Sequence, residues 1–270
     1  MQPAIVLYNL TKSFECKRIL EVAAGNGNGA RMFAATLMKK GAVLVCTDIS
    51  NTMIELFKKR FDESDQSLVP HIKLTTLESW SKVENEDGKK NLYMLKANNE
   101  QLPFEDQSFD CYIANLSLQL VDNHKNQLSE AYRVLQPGSY AAFTVWGKEE
   151  NGSYFTFLTR SLEKLGLKEE AKGKSNFHLN DASKLRKDMQ DAGFSKVKVF
   201  PTSNNINPRS DDEYLKRLKP QFTNKMEQHN QSEEESEKLW EKVKQDYYDN
   251  YGEDAEGMIS FEVFIAIGMR

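Results

Sequence analysis

The chain has 270 residues, 39% of them hydrophobic and 28% charged, which gives material for a real core and the length of one large domain or two small ones. Thirty-six basic residues against 40 acidic ones leave a formal charge of −4, so there is no basic excess to grip nucleic acid or an anionic membrane. The longest late apolar run, Val263 to Met269, is far short of the roughly 20 residues of a spanning helix.

Cys16, Cys46 and Cys111 are widely spaced, with no C-x-x-C among them; neither a zinc cluster nor a disulfide framework is expected, and no metal site. The segment Met1 to Phe14 lacks the charged and then long apolar regions of a secretory signal, and its neighbourhood lacks the early arginines of a mitochondrial presequence. The cytosol is the default compartment.

The predicted elements alternate. Arg18 to Ala23 reads as a strand, followed by a glycine loop and a helix from Ala30 to Lys40 stopped by Gly41. Ala42 to Thr47 is a second strand, and Ser50 can cap a helix over Asn51 to Phe61. Leu92 to Lys96 and Asp110 to Asn115 are the third and fourth strands. A helix over Lys125 to Leu135 ends at Gln136-Pro137-Gly138, and Tyr140 to Trp146 is the fifth strand. Strand–helix alternation of this kind builds a parallel sheet with helices on both faces, and such a sheet binds its ligand beyond the carboxyl ends of its strands.

Later, Tyr154 to Leu165 and Asp181 to Ala192 read as helices, Ser195 to Phe200 as a sixth strand, Asp211 to Tyr251 as charged helix and Met258 to Ile267 as a last strand. Ser232 and Glu235 have capping-box spacing. With no internal repeat or low-complexity linker, one domain over 1–270 is expected: a cofactor-binding core at 18–146, then 147–270 with substrate-side helices and the last two strands.

The glycine loop carries the functional signal. Glu21-Val-Ala-Ala-Gly25-Asn26-Gly27-Asn-Gly29 lies between the first strand and first helix, where glycines admit a close ligand and a helix N-terminus favours negative charge. Asp48 ends the second strand, where a carboxylate can accept from both ribose hydroxyls. Together they indicate a nucleoside-containing cofactor. Gly25-x-Gly27-x-x-Ala30 also satisfies the dinucleotide fingerprint, so a nicotinamide oxidoreductase is one reading. Against it, Glu21 stands inside the first strand, where a dinucleotide fold has apolar residues.

Wider motifs bear on that choice. Leu20 to Gly27, Thr47-Asp48-Ile49-Ser50-Asn51-Thr52-Met53, Ala97 to Asp110, Ile113-Ala114-Asn115-Leu116-Ser117-Leu118 and Tyr132 to Gly138 occur in this order. In them the sequence resembles the class I S-adenosylmethionine-dependent methyltransferases, especially the ubiquinone/menaquinone-biosynthesis-like group, strongly over Arg18 to Trp146 and thinly beyond. The resemblance implies a Rossmann-like α/β fold: a seven-stranded, mostly parallel sheet with an antiparallel last strand, helices on both faces and helical insertions. It implies S-adenosylmethionine as cofactor and S-adenosylhomocysteine as product. It also implies roles: Ala23, Gly25, Asn26 and Gly27 pass the backbone near the cofactor's methionine part, and Glu21 orders that loop. Asp48 holds the ribose, Ile49 and Met53 pack on adenine, Asn98 and Asn99 meet its edge, and Asn115 with Leu116 contacts the methionine group.

The sequence departs from the family pattern in places. Ala23 stands where glycine is usual, which suits a negative φ. Asn98 replaces an aspartate, Asp62 to Asn91 is a long connection, and about 17 residues precede the first strand as a short cap. These departures keep open a degenerate methyltransferase fold serving as a scaffold subunit. Methyl transfer from a sulfonium needs proximity and orientation more than a base, and no triad is visible. His71, His124, His178 and His229 are scattered, His124 being the best placed for a base. A small-molecule acceptor is expected, recognised by the N-terminal segment, by Trp146 to Phe157 and by Asp211 to Tyr251.

Overall fold

The computed structural model describes residues 3–63, 72–80, 89–167, 174–206, 211–252 and 259–270. His71 and the first residue of the expected last strand, Met258, lie outside them. The first half runs α1 (Pro3–Leu10), β1 (Arg18–Val22), α2 (Asn28–Thr36), β2 (Val43–Asp48), α3 (Asn51–Asp62), β3 (Ile72–Leu77), β4 (Lys90–Lys96), β5 (Phe109–Asn115), α4 (His124–Val134) and β6 (Leu135–Trp146). The second half adds α5 (Ser153–Lys164), α6 (Ala182–Asp191), β7 (Ser195–Ile206), α7 (Asp211–Gln228), α8 (Glu233–Tyr251) and β8 (Ile259–Met269). No helix among the described residues is long and apolar enough to cross a membrane.

The strands form one sheet in the order β3-β4-β2-β1-β5-β6-β8-β7, parallel from β3 through β6. β8 runs antiparallel to β6: Arg270 N–H donates to the Ser139 carbonyl and Gly138 N–H to that of Arg270. The sheet has eight strands, not the seven expected. The extra one, β3, lies inside the long Asp62–Asn91 connection. As an edge strand it buries little, and its six residues carry no fully buried side chain, so its pattern is faint. A second correction falls at Gln136–Gly138, which does not form a turn after the helix. Leu135 is already extended at φ −80°, ψ 149°. The register then slips between Phe109↔Leu135 and Cys111↔Tyr140, so these residues are a bulge within β6, with Gly138 at φ +82°.

The alternation of side chains along the central strands sorts the core into two layers. Ile19, Leu44, Cys111 and Ile113 pack with α1, α2 and α3 through Leu7, Phe33 and Phe57. Their neighbours Leu20, Val45, Tyr112 and Ala114 pack with α4 and α6 through Leu128, Ala131 and Met189. Caps set the helix starts. Ser50 Oγ accepts from Met53 N–H, and Ser232 with Glu235 forms the reciprocal capping box at α8. The late charged helix is two helices, broken before Ser232.

Two compact units make up the chain. The sheet unit comprises Met1–Trp146, Leu179–Pro201 and Phe264–Arg270. The helical unit comprises Gly147–His178 and Thr202–Val263. Its core is built of Phe157, Tyr214, Phe222, Trp240 and Tyr247, so these five aromatics are core residues.

Candidate functional site

β1 pairs in parallel with β2 on one side and β5 on the other, and β2 pairs with β4. The carboxyl ends of four strands therefore fall in a row, and a cavity of about 470 Å³ opens along them, a size suited to a small-molecule ligand. Ala23 and Gly25 line it from the exit of β1, and Asp48, Ile49 and Met53 from that of β2. Asn98, Asn99 and Glu100 line it beyond β4, and Leu116, Ser117, Leu120, Val121 and Asp122 beyond β5.

The glycine loop is stitched to the end of β2. Ala24 N–H donates to the Thr47 carbonyl at 2.9 Å, and Gly25 N–H to Asp48 Oδ2 at 2.9 Å. Ala23 is at φ +48°, which corrects the negative φ expected from its side chain. The neighbouring stitches over-determine the turn, and the alanine carries the cost of a left-handed conformation, about 1–2 kcal/mol. Gly25 and Gly27 answer different needs. Gly25, at φ +55°, faces open space where a Cβ would stand, so a ligand can approach its backbone. A Cβ on Gly27 would stand 2.4 Å from the Phe57 ring; here glycine lets α3 pack against the loop.

Asp48 is 7% exposed. Its Oδ1 accepts from Ser50 N–H at 2.9 Å, as Oδ2 does from Gly25. A carboxylate offers about four lone-pair sites, so each oxygen keeps one acceptor position. Beside it Ile49 is 62% exposed, an apolar side chain at the cavity with little protein cover. Asn98 Oδ1 accepts from Glu100 N–H at 3.0 Å, which shapes the turn after β4 and leaves the amide N–H groups for other partners. Glu100 in turn accepts from the backbone N–H groups of Asp122 and Asn123, bracing the β4 and β5 exits together.

A polar network holds the β5 exit. Thr144 Oγ1 donates to Asn115 Oδ1 at 2.8 Å and accepts from Leu116 N–H at 2.9 Å. Leu116 takes φ +54°, and its carbonyl accepts from Gln119 Nε2 at 2.9 Å. Gln127, fully buried on α4, donates through Nε2 to Tyr112 Oη at 3.3 Å and to Ser117 Oγ at 3.2 Å.

Of the residues that the sequence marked, Ala23, Gly25, Asp48, Ile49, Met53, Asn98, Asn99 and Leu116 come together around the cavity. Glu21, Asn26, Gly27 and Asn115 do not line it. Asn26 Oδ1 accepts from Asn28 N–H at the head of α2, and Asn115 spends its side chain on Thr144. Glu21 is 3% exposed and accepts from Tyr8 Oη at 2.6 Å. Burial pushes its carboxyl up to about 7, against the lowering effect of the tyrosine hydrogen bond. Tyr8 belongs to α1, a helix that the sequence did not signal. His124 Nε2 sits 2.9 Å from Asp188 Oδ2, with Lys125 on the other oxygen at 3.3 Å. Burial raises Asp188, but these two partners hold it below its ordinary value. His124 thus joins α4 to α6 and does not line the cavity. Sequence reasoning missed Glu100, Ser117, Leu120, Val121 and Asp122. Each falls within or just after a quoted motif, so distance past the strand end was the available signal.

These residues fit a nucleoside carrying an amino-acid tail. A carboxylate with spare acceptor sites stands at the β2 exit, a largely exposed apolar side chain beside it, and open backbone at Gly25. Residues 20–143 match the family model of a methyltransferase domain. Among curated relatives, the ubiquinone/menaquinone biosynthesis C-methyltransferase UbiE of Bartonella henselae is 34% identical over 122 residues, 45% of this chain and 38% of that protein. The enzyme of the same name from Klebsiella pneumoniae is 25% identical over 193 residues, 67% of this chain and 68% of that protein. The chain thus spans only 38% of the length of the Bartonella relative. Among solved structures, Haemonchus contortus phosphoethanolamine N-methyltransferase 2 with S-adenosylhomocysteine superposes with TM-score 0.51 at 16% identity, covering 99% of this chain and 52% of that one. The [4+2]-cyclase SpnF gives TM-score 0.54 at 15% identity, covering 99% and 80%. These two likenesses speak for the fold; the domain match and the curated relatives speak for the family. By them the chain is similar over residues 20–143 to a methyltransferase domain, and its curated relatives are UbiE enzymes.

Proposed function

We propose that the chain transfers the methyl group of S-adenosylmethionine to a small-molecule acceptor by in-line displacement. The observation that carries this reading is Asp48, buried at the β2 exit with one acceptor position left on each oxygen. When bound, the cofactor supplies a methyl group already activated on a sulfonium. Asp48 would hold the ribose hydroxyls by charge-assisted hydrogen bonds. Ile49 and Met53 offer apolar faces to adenine, and the amides of Asn98 and Asn99 reach its edge. Ala23, Gly25 and Leu116 bring backbone to the amino-acid end.

The chain's part in the chemistry is then to position the reactants and exclude water. Glu100 is engaged by two backbone N–H groups and acts as a brace. His124 is held by Asp188. The acceptor therefore arrives with its nucleophilic electron pair available, on a heteroatom or an electron-rich ring carbon, and the proton that a carbon acceptor loses leaves to solvent rather than to a histidine. The relatives are named for C-methylation in ubiquinone and menaquinone biosynthesis, which puts electron-rich ring compounds first among acceptors to test. Ala23 and Asn98, which depart from the family pattern at the cavity wall, support a second reading, a binding or scaffold subunit without methyl transfer.

Equilibrium titration of the purified chain with S-adenosylmethionine, S-adenosylhomocysteine and NADH separates these readings. The first two should bind and NADH should not. Asp48→Ala should weaken S-adenosylhomocysteine about 100-fold or more, since hydrogen bonds to a charged group contribute about 1.5–3 kcal/mol each, with the circular-dichroism spectrum retained. NADH binding in place of both adenosyl ligands, or unchanged affinity in Asp48→Ala, overturns the proposal. Binding without methyl transfer to any acceptor in a metabolite extract favours the second reading.

A further inference from the structure

The segment between α1 and β1 is anchored to the start of β5, the end of that strand away from the cavity. The backbone N–H groups of Lys17 and Arg18 donate to the Asp110 carboxylate at 2.7 and 2.9 Å, and Arg18 Nε donates to the Ser108 carbonyl at 3.0 Å. Cys16 N–H donates to the Ser13 carbonyl at 3.0 Å. This anchoring sets the side chains of Thr11, Ser13 and Cys16 against Cys111.

Four polar side chains meet there. Ser13 Oγ lies 3.0 Å from Cys111 Sγ and 2.6 Å from Thr11 Oγ1. As a thiol, Cys111 donates to Thr11 Oγ1 at 3.4 Å. The Cys16 thiol hydrogen-bonds the Cys111 sulfur and also lies 3.5 Å from the Asp110 carbonyl. Cys111 and Ser13 are buried, whereas Cys16 is half-buried. When Cys111 gives up its proton, Ser13 can turn its hydroxyl from Thr11 to the sulfur, and Cys16 donates as well. Burial raises the Cys111 thiol, but the hydrogen bonds outweigh it and hold it below its ordinary value.

The third cysteine has no such setting. β1 separates β2 from β5, which puts Cys46 at least about 10 Å from Cys111, beyond the ~7 Å Cα separation that a disulfide spans. Cys46 is fully buried, and burial, with Glu21, raises its thiol.

We propose that Cys16 and Cys111 are a reversible oxidation site, a dithiol that hydrogen peroxide converts to a disulfide tying the segment after α1 to β5. The Sγ–Sγ bond forms as the peroxide O–O bond breaks. Each sulfur loses one electron, each oxygen gains one, and the two thiol hydrogens leave in two waters. A thiol reductant restores the pair. A thiolate-prone sulfur with a second thiol in reach favours the disulfide over deeper oxidation. The inference is independent of the cofactor reading.

The test treats the full chain with hydrogen peroxide, blocks the remaining thiols in denaturant with N-ethylmaleimide, and digests with trypsin without reduction. A linked pair of peptides, Ser13–Lys17 with Ala97–Lys125, should appear, and dithiothreitol should abolish it. Cys46 should be recovered blocked, as a free thiol. The cross-linked chain should have a higher urea midpoint, because closing a long loop restricts the unfolded chain. Cys46→Ser should leave both results unchanged, and Cys16→Ser should abolish both. Sulfinic acid without a linked peptide, no oxidation of either thiol, a disulfide between two chains or a bond to Cys46 each overturns the proposal. So does a lower urea midpoint, which would mean that the sulfurs had to be forced together, or a midpoint shift that persists in Cys16→Ser.

Discussion

The sheet unit and the helical unit are held by different means. At each exit of the sheet unit, particular backbone donors meet particular acceptors: Gly25 with Asp48, Leu116 with Thr144, Asp122 and Asn123 with Glu100. Two non-glycine residues, Ala23 and Leu116, stand in the left-handed region there. The helical unit fills its volume with rings, such as Phe222 against Trp240 at 5.0 Å and Tyr214 against Tyr247 at 5.6 Å between centroids. Polar geometry of the first kind is satisfied by few residue types, whereas many apolar combinations fill a core of given volume. The family match ends at residue 143, just before the helical unit begins at Gly147. The matched segment holds most of the exacting geometry at the strand exits.

The largest effect should come from Phe222→Ala. Its ring is 1% exposed, and removal from a packed core costs about 3–5 kcal/mol, read as a lower urea midpoint. S-adenosylhomocysteine affinity of the folded protein should stay unchanged. A matching loss of affinity would break the separation between the units.

Glu21 sharpens the account of the sheet unit through pH. Its folded carboxyl is raised from 4.5 to about 7, so the folded chain holds this proton more tightly than the unfolded chain. The contribution is fully present below about pH 4.5 and is lost as pH rises through about 7. Glu21→Gln removes the titration. The stability of wild type relative to the variant should fall from pH 4.5 to 7 and then level off. A difference independent of pH would show that the carboxyl is not perturbed in this way.

The smallest effect tests backbone strain. Ala23→Gly relieves a left-handed alanine costing about 1–2 kcal/mol but adds freedom to the unfolded chain worth about 0.4–1 kcal/mol. A net gain of about 1 kcal/mol or less is expected in thermal melts. A loss would mean that the alanine methyl contributes packing that exceeds its strain.

The sequence revealed these regions unevenly. Strands β1, β2, β4 and β5 were legible because they are buried on both faces and end in motifs. Ser50 and Ser232 announced helices through their side chains. Helix α1 was not legible: Pro-Ala-Ile-Val-Leu-Tyr-Asn-Leu has no capping side chain before it and is apolar nearly all round. Its meaning appears only in three dimensions, where Tyr8 stacks on Phe33 at 4.0 Å and reaches Glu21. Strand β3 was hidden by its edge position. In the site, Asp48 and Gly25 could be placed from spacing, since both follow directly from strand ends. Ser117 could not, because its environment depends on Gln127, ten residues on and contributed by α4. The φ of Ala23 was read the wrong way because side-chain preference was weighed without the hydrogen bonds that pin the loop.

Helix α3 touches both sides of the cofactor question. It starts beside Asp48, whose Oδ1 holds Ser50 N–H, and two turns later its Phe57 ring fills the space above Gly27. One rigid rod therefore gauges the distance between the carboxylate and the glycine loop. A small tilt of α3 would carry both together and preserve their spacing, whereas a change in ring size at position 57 would alter the spacing itself. Phe57, which does not itself line the cavity, acts as the calibrating shim of the site.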